Sequence, residues 1–173
     1  MGKRKPESKI KREFSAGGVV FKKESGQVFW LITKSTPSKL YPKAVLRLPK
    51  GWIDDKEGGL FPGQIASGEK RATEEELKRA ALKEVEEEAG VKAKIIGKVG
   101  TEKIFITTPR GKVLKFITFY LMQWLKDLKE GFGKETSGVQ LLSFNEARKA
   151  LSYSGEKKNL DKAKEFLDQK NLI

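Results

Sequence analysis

Runs of alternating apolar and polar residues, separated by turn residues, organise the chain from Glu13 onward. Residues 14–22 (FSAGGVVFK) and 27–33 (QVFWLIT) have the β-branched and aromatic content of strands. Glu24-Ser25-Gly26 between them has hairpin character, which predicts two neighbours in one sheet. Residues 93–97, 101–106, 113–124 and 139–143 read as further strands, with Pro109-Arg110-Gly111 turning the middle pair. One helix is bracketed at both ends. Thr73 with Glu76 forms a capping box, Leu77, Ala81, Leu82 and Val85 make an apolar stripe, and Gly90 stops the helix after Ala89. Two helices, over residues 145–151 and 160–171, close the chain. Residues 58–75, with four glycines and one proline, follow neither period and read as a surface loop. No segment repeats, and strands mixed with few helices predict an α+β fold or mixed sandwich rather than a βαβ array.

At 173 residues the chain fits one domain that buries most of the surface its unfolded form exposes. It contains no Cys and no His, which excludes disulfides, zinc fingers, thiol nucleophiles and Ser-His-Asp triads together. Catalysis therefore falls to carboxylates, amines, hydroxyls or a metal held by oxygen. The longest mostly apolar run, residues 113–125, is interrupted by Lys115 and is too short to cross a bilayer. The N-terminal residues are charged without an apolar stretch, so a cytoplasmic protein without a membrane partner is expected. Thirty-six Lys and Arg against 23 Asp and Glu give a net charge of +13, a field that attracts polyanions. Residues 1–12 carry Lys3, Arg4, Lys5, Lys9, Lys11 and Arg12 against Glu7 alone. They read as a basic flexible tail, either merely solvated or in weak contact with nucleic acid or polyphosphate. The domain proper then spans residues 13–173.

The acidic run 84–88 is the informative one. At about 100° per residue, Glu84, Glu87 and Glu88 share one helix face while Glu86 points away. A solvated acidic face is the ordinary reading of such a run. Here, however, Leu77, Ala81, Glu84 and Glu88 fall within about 60° of one another, so the carboxylates edge the apolar stripe. Like charges at i,i+4 cost roughly 0.2–0.5 kcal/mol when exposed, and more when partly buried. Lys83 can pair with Glu87, which leaves Glu84 and Glu88 without a helical partner. A hard divalent cation such as Mg²⁺ would satisfy them and is normally bound together with phosphates.

Gly51-Trp52-Ile53-Asp54-Asp55-Lys56-Glu57, preceded by Leu48-Pro49-Lys50, and the run from Lys83 to Val91 together resemble the two halves of the Nudix box. That pattern is Gly-x5-Glu-x7-Arg-Glu-hydrophobic-x-Glu-Glu-x-Gly-hydrophobic. Ser15-Ala16-Gly17-Gly18-Val19-Val20 is similar to the first strand of that family. Ser143-Phe144-Asn145-Glu146-Ala147 through Tyr153 is similar to the C-terminal helix region of its dinucleoside-polyphosphate hydrolases. Two features depart from the pattern. Twenty-five residues separate Glu57 from Lys83 where the box has seven, an insertion of 18. The first-half glutamate is read as Glu57 on the longer match, with Glu75 and Glu69 as alternatives. Lys83 also replaces Arg, which loses a bidentate fork.

The resemblance implies an α/β/α sandwich around a mixed sheet and a hydrolase in which water attacks a phosphorus of a nucleoside diphosphate derivative. It assigns Glu84, Glu87, Glu88 and the Gly51 carbonyl to Mg²⁺, with Mn²⁺ as a substitute, and Glu57, Lys83 and Gly90 to the framework of the box. The general base is either Glu84 or Glu135, whose Gly133-Lys134-Glu135 loop resembles one that supplies an extra glutamate in some members. Arg47, Lys50, Lys103, Arg110 and Lys112 are candidate phosphate contacts, and Tyr153, Tyr41 or Trp52 candidates to stack on a base. The basic excess favours a dinucleoside polyphosphate such as diadenosine tetraphosphate, or a 5′-phosphorylated RNA end. A non-catalytic Nudix scaffold that binds nucleotide or RNA is the competing class.

Overall fold

The structure, a computed structural model, describes residues 10–39, 42–109 and 111–170. Tyr41, Arg110 and the first nine residues of the basic segment lie outside the described residues. Strands β1 (Lys11–Glu24) and β2 (Gln27–Ser35) form the expected hairpin, with Ser25 and Gly26 at positive φ in its turn. Lys11 and Arg12, expected in the tail, instead pair with Val113 and Leu114 at the start of β1. Short strands β3 (Leu46–Arg47) and β4 (Lys50–Trp52) pair with β2 and β1. β5 (Asp55–Lys56) and β6 (Phe61–Pro62) make a small separate ribbon at the start of the insertion. Strands of two or three residues are too short to show a period, which is why the pattern misses all four.

Helix α1 (Glu74–Ala89) has the predicted ends. The Thr73 hydroxyl accepts the Glu76 N–H at 3.1 Å, the Glu76 carboxylate accepts the Thr73 N–H, and Gly90 takes a left-handed conformation at φ +67°. β7 (Val91–Thr108) is one bent strand where two are predicted, its register shifting near Lys92, Ile95 and Lys98 as it follows β8 (Gly111–Asp127). β9 (Thr136–Leu142), α2 (Phe144–Ala150) and α3 (Ser154–Gln169) complete the fold. α3 begins six residues before its predicted start, because Ser154-Gly155 reads as loop in isolation.

The sheet runs β3-β2-β1-β8-β7, with β4 added to β1 and β9 to β2. β1 and β8 are parallel and the other pairs antiparallel, so the sheet is mixed. Central strand β1 buries both of its faces. Val19 and Phe21 pack with Leu151, Leu160 and Leu167 of the α2–α3 layer, while Ala16 and Val20 pack with Ala81 and Val85 of α1. The result is the expected α/β/α sandwich. Among the described residues no helix is long and apolar enough to cross a membrane.

Gly17 and Gly18 set the spacing that the site depends on. A β-carbon at Gly17 would collide with the Pro49 carbonyl, and one at Gly18 with Val85 of α1. Their absence lets α1 rest directly on β1. It also lets the 48–51 segment cross close above the strand, where the Gly18 N–H donates to the Pro49 carbonyl at 3.0 Å.

Candidate active site

The same crossing brings the two halves of the acidic motif together. The place of a side chain at Gly51 is taken by the Glu84 carboxylate, so any β-carbon there would collide with it. One turn further along α1, Glu88 is 5% exposed, and its Oε2 accepts the Lys50 N–H at 3.0 Å. Arg47 Nη2 lies 3.6 Å from the other Glu88 oxygen. Burial, with the charges of Glu88 and Glu87 beside it, pushes the Glu84 carboxyl up to about 8. Burial pushes Glu88 up to about 7, against the opposing pull of Arg47 and the Lys50 N–H. Glu87 is exposed and paired with Lys83 at 3.6 Å. Among the described residues no three carboxylates already meet at ligand distance. A cation shared by all three requires Glu87 to leave Lys83, an exposed pair of small energetic weight.

The donor set nevertheless fits a hard divalent cation. It consists of carboxylate oxygens, two of them desolvated beside one another, with Arg47 paired to Glu88 but the Glu84 carboxyl raised further by its acidic neighbours. These carboxylates line a pocket of about 330 Å³ together with Trp52, Asp55 and Gly59 from the insertion side. A larger cleft of about 730 Å³ adjoins it, walled by Ile104, Ile106 and Ile117 and bordered by Tyr153, which is 46% exposed. Arg47, Lys50, Lys115 and Glu135 line both spaces. Arg47 Nε is buried and without a hydrogen-bond partner among the described residues, a costly state that an anionic oxygen would relieve.

Glu135 reaches this place through its loop. Gly90, with no room for a β-carbon, lets the loop 128–133 pass against the C-terminus of α1, where the Gly133 N–H donates to the Glu87 carbonyl at 2.7 Å. Further along, the Thr36 N–H holds the Glu135 carbonyl at 2.8 Å. The Glu135 side chain is exposed, and its charge adds to the repulsion felt by both Glu84 and Glu88.

Other candidates from the sequence lie elsewhere. Lys103 stacks over Phe116 on the opposite face of the sheet from the cleft, because strand alternation turns Glu102, Ile104 and Ile106 inward instead. Lys112 is exposed at the end of the β7–β8 hairpin. Glu57 stands exposed at φ +52° in a 3-10 turn and forms no ion pair with Lys83, nor do Glu69 and Glu75. The acid that organises the insertion is Asp54. Its carboxylate accepts the N–H groups of Ile65 and Ala66 at 3.1 and 2.7 Å, while the Ala66 carbonyl accepts the Phe14 N–H. The expected surface loop is therefore clasped to β1, and Ala66 is fully buried.

Three further polar groups escape the motif reading. Lys115 carries a proton affinity lowered by burial and by Lys50, with Glu13 at 3.8 Å. Glu102 is half-buried in the cleft. Glu156 is 2% exposed, its carboxylate takes the Leu48 N–H, and burial pushes it up to about 7. Each leaves a trace in the pattern. Lys115 interrupts an apolar strand, Glu102 shares a strand face with Ile104 and Ile106, and Glu156 sits on the helical stripe of Leu160, Ala163 and Leu167.

Comparison with known proteins agrees with this arrangement. The family model described as NUDIX domain matches residues 11–163. An Ap4A hydrolase from C. elegans, solved as a binary complex, superposes with a TM-score of 0.61 at 18% identity, over 91% of this chain and 98% of that one. A MutT protein from Methanosarcina mazei Go1 gives 0.61 at 16% identity over 95% and 99%. The NUDIX domain of Shewanella oneidensis NrtR, solved with ADP ribose, gives 0.61 at 15% over 95% and 94%. Against curated protein sequences no relative matches. At these identities the superpositions speak for the fold, and the domain match over residues 11–163 speaks for descent. With the box carboxylates gathered on one pocket wall, the chain belongs to the Nudix hydrolase family.

Proposed function

We propose that this phosphoanhydride hydrolase is a divalent-metal-dependent pyrophosphohydrolase of nucleoside polyphosphates, with dinucleoside polyphosphates such as diadenosine tetraphosphate as its preferred class. The observation that carries the reading is the common wall of the two spaces. Arg47, Lys50 and Lys115 line both the carboxylate pocket and the nucleoside-sized cleft, so a phosphate chain can run from one to the other. Glu84, Glu87, Glu88 and the Gly51 carbonyl would hold the cation. When bound, it supplies charge that acidifies water and offsets the negative charge growing on the phosphoryl oxygens. Arg47 and Lys50 orient the phosphates. Tyr153 and the isoleucine wall take a base.

Glu135 is the base in this reading. It is exposed and lines the pocket beside the cluster, whereas Glu84 would have its charge committed to the cation, which makes it the poorer base. Relatives of the same fold include an Ap4A hydrolase and a domain solved with ADP ribose, so these two ligands define the choice to be tested. With Mg²⁺ or Mn²⁺, kcat/KM for diadenosine tetraphosphate is expected to exceed that for ADP-ribose and for triphosphorylated RNA, with ATP and AMP as products. Preference for ADP-ribose overturns the substrate assignment. Preference for RNA transfers it to 5′-end hydrolysis.

A further inference from the structure

The end of the first motif half and the start of the insertion form a wall of the carboxylate pocket that phosphate recognition leaves unused. Trp52, Asp55 and Gly59 line the pocket on the side of the insertion. Trp52 is held by its Nε1–H, which donates to Glu13 at 3.2 Å. Beyond it the β5–β6 ribbon is anchored by Asp54 at its base, where the Gly63 N–H donates to the Asp54 carbonyl at 3.0 Å. Its tip faces solvent. Leu60 is 67% exposed and Phe61 40%. Gly58 and Gly59 meet nothing within 4 Å on the side a β-carbon would occupy.

The charge of this tip runs against the rest of the molecule. Residues 54–62 carry Asp54, Asp55 and Glu57 against Lys56, within a chain of net charge +13. Asp54 is committed to the clasp, while Asp55 and Glu57 remain exposed. An acidic, apolar-edged surface repels phosphate but suits a nucleoside. Carboxylates accept hydrogen bonds from ribose hydroxyls, and leucine and aromatic side chains cover a base. Asp55 and Gly59 line the carboxylate pocket and Tyr153 the adjoining cleft, and Arg47, Lys50 and Lys115 are the basic residues common to both.

We infer that the junction of the first motif half with the insertion, with Trp52, Asp55 and Gly59 on the pocket wall and Glu57 and Leu60 beside them in the chain, is a second nucleoside subsite. It takes the end of a dinucleoside polyphosphate that lies across the carboxylates from the Tyr153 cleft. The inference rests on the proposed substrate class, and the following test separates the two. Titration calorimetry in Mg²⁺ compares diadenosine tetraphosphate with methylene-bridged phosphates, which cannot be hydrolysed, against the matching analogue of adenosine tetraphosphate. The double variant Leu60→Ser with Glu57→Gln, at two exposed positions, is expected to bind the dinucleoside analogue roughly tenfold more weakly. Its affinity for the mononucleoside analogue is expected to stay at the wild-type value. The subsite is overturned if both analogues weaken equally, if neither weakens, or if the wild type fails to bind the dinucleoside analogue. If the binding pattern holds while the wild type hydrolyses no dinucleoside polyphosphate, the subsite stands and the hydrolytic reading falls.

Discussion

At the scale of single residues, one buried glutamate, one half-buried and one exposed line the same pocket. Burial raises the proton affinity of both Glu84 and Glu88, the more so for Glu84, and a bound cation would offset that. Glu135 is exposed at the edge of the same pocket and is the carboxylate suited to taking a proton from attacking water. Glu135→Gln should therefore lower kcat by on the order of 10²- to 10⁴-fold and leave KM and Mg²⁺ affinity nearly unchanged. Glu84→Gln should disturb both. Steady-state kinetics with a Mg²⁺ titration distinguishes them, and a wild-type kcat in Glu135→Gln passes the role to Glu84. These residues were legible for different reasons. The 84–88 cluster shows itself by helical spacing, and Glu135 only through a family likeness of its loop. Lys103 was misplaced because a single strand's alternation does not say which face meets the cleft; only packing of α2 and α3 against the sheet decides that.

Among the elements, α3 has the most consequence for the site. Its first turn carries Glu156, whose carboxylate fixes the Leu48 N–H and so ties the segment bearing Arg47, Lys50 and Gly51 to the C-terminal layer. Burial raises this group from an ordinary 4.5 to about 7. The stabilisation due to its protonated form is complete below about pH 4.5 and is lost as pH rises through about 7. Glu156→Gln keeps an acceptor for the Leu48 N–H and removes the titration. The variant should match the wild type near pH 5 and exceed its stability at pH 8 by about 1–3 kcal/mol, with a shallower fall in between. Chemical denaturation at the two pH values measures this, and parallel curves would show that Glu156 does not titrate in the folded range. The sequence pattern located α1 to the residue because a capping box and a left-handed glycine are local signals. It missed the start of α3 and all of β3–β6, which exist through tertiary contacts: Glu156 on Leu48, Asp54 on Ala66, Pro49 on Gly18.

For the whole molecule, the division of charge follows the division of labour. In a chain of net charge +13, Glu84, Glu87, Glu88 and Asp55 line one pocket together with Arg47, Lys50 and Lys115. In the proposed reading, the general field would draw phosphates in, and the carboxylate-held cation and the basic residues would hold them. The mixed sheet makes this possible, since the crossing of the 48–51 segment over β1 is what sets Gly51 against Glu84. Glu87 offers the cleanest probe of that arrangement, because its side chain is exposed and paired with the exposed Lys83, so its charge can be removed without disturbing the core. The deciding measurement is the turnover of diadenosine tetraphosphate by wild type and Glu87→Gln, with Mg²⁺ and with EDTA, each protein checked for an unchanged melting temperature. Wild-type turnover should vanish in EDTA and return with Mg²⁺, and Glu87→Gln should be slower by at least on the order of 100-fold. Turnover that survives EDTA, or a wild-type rate in Glu87→Gln, would contradict hydrolysis at this carboxylate cluster.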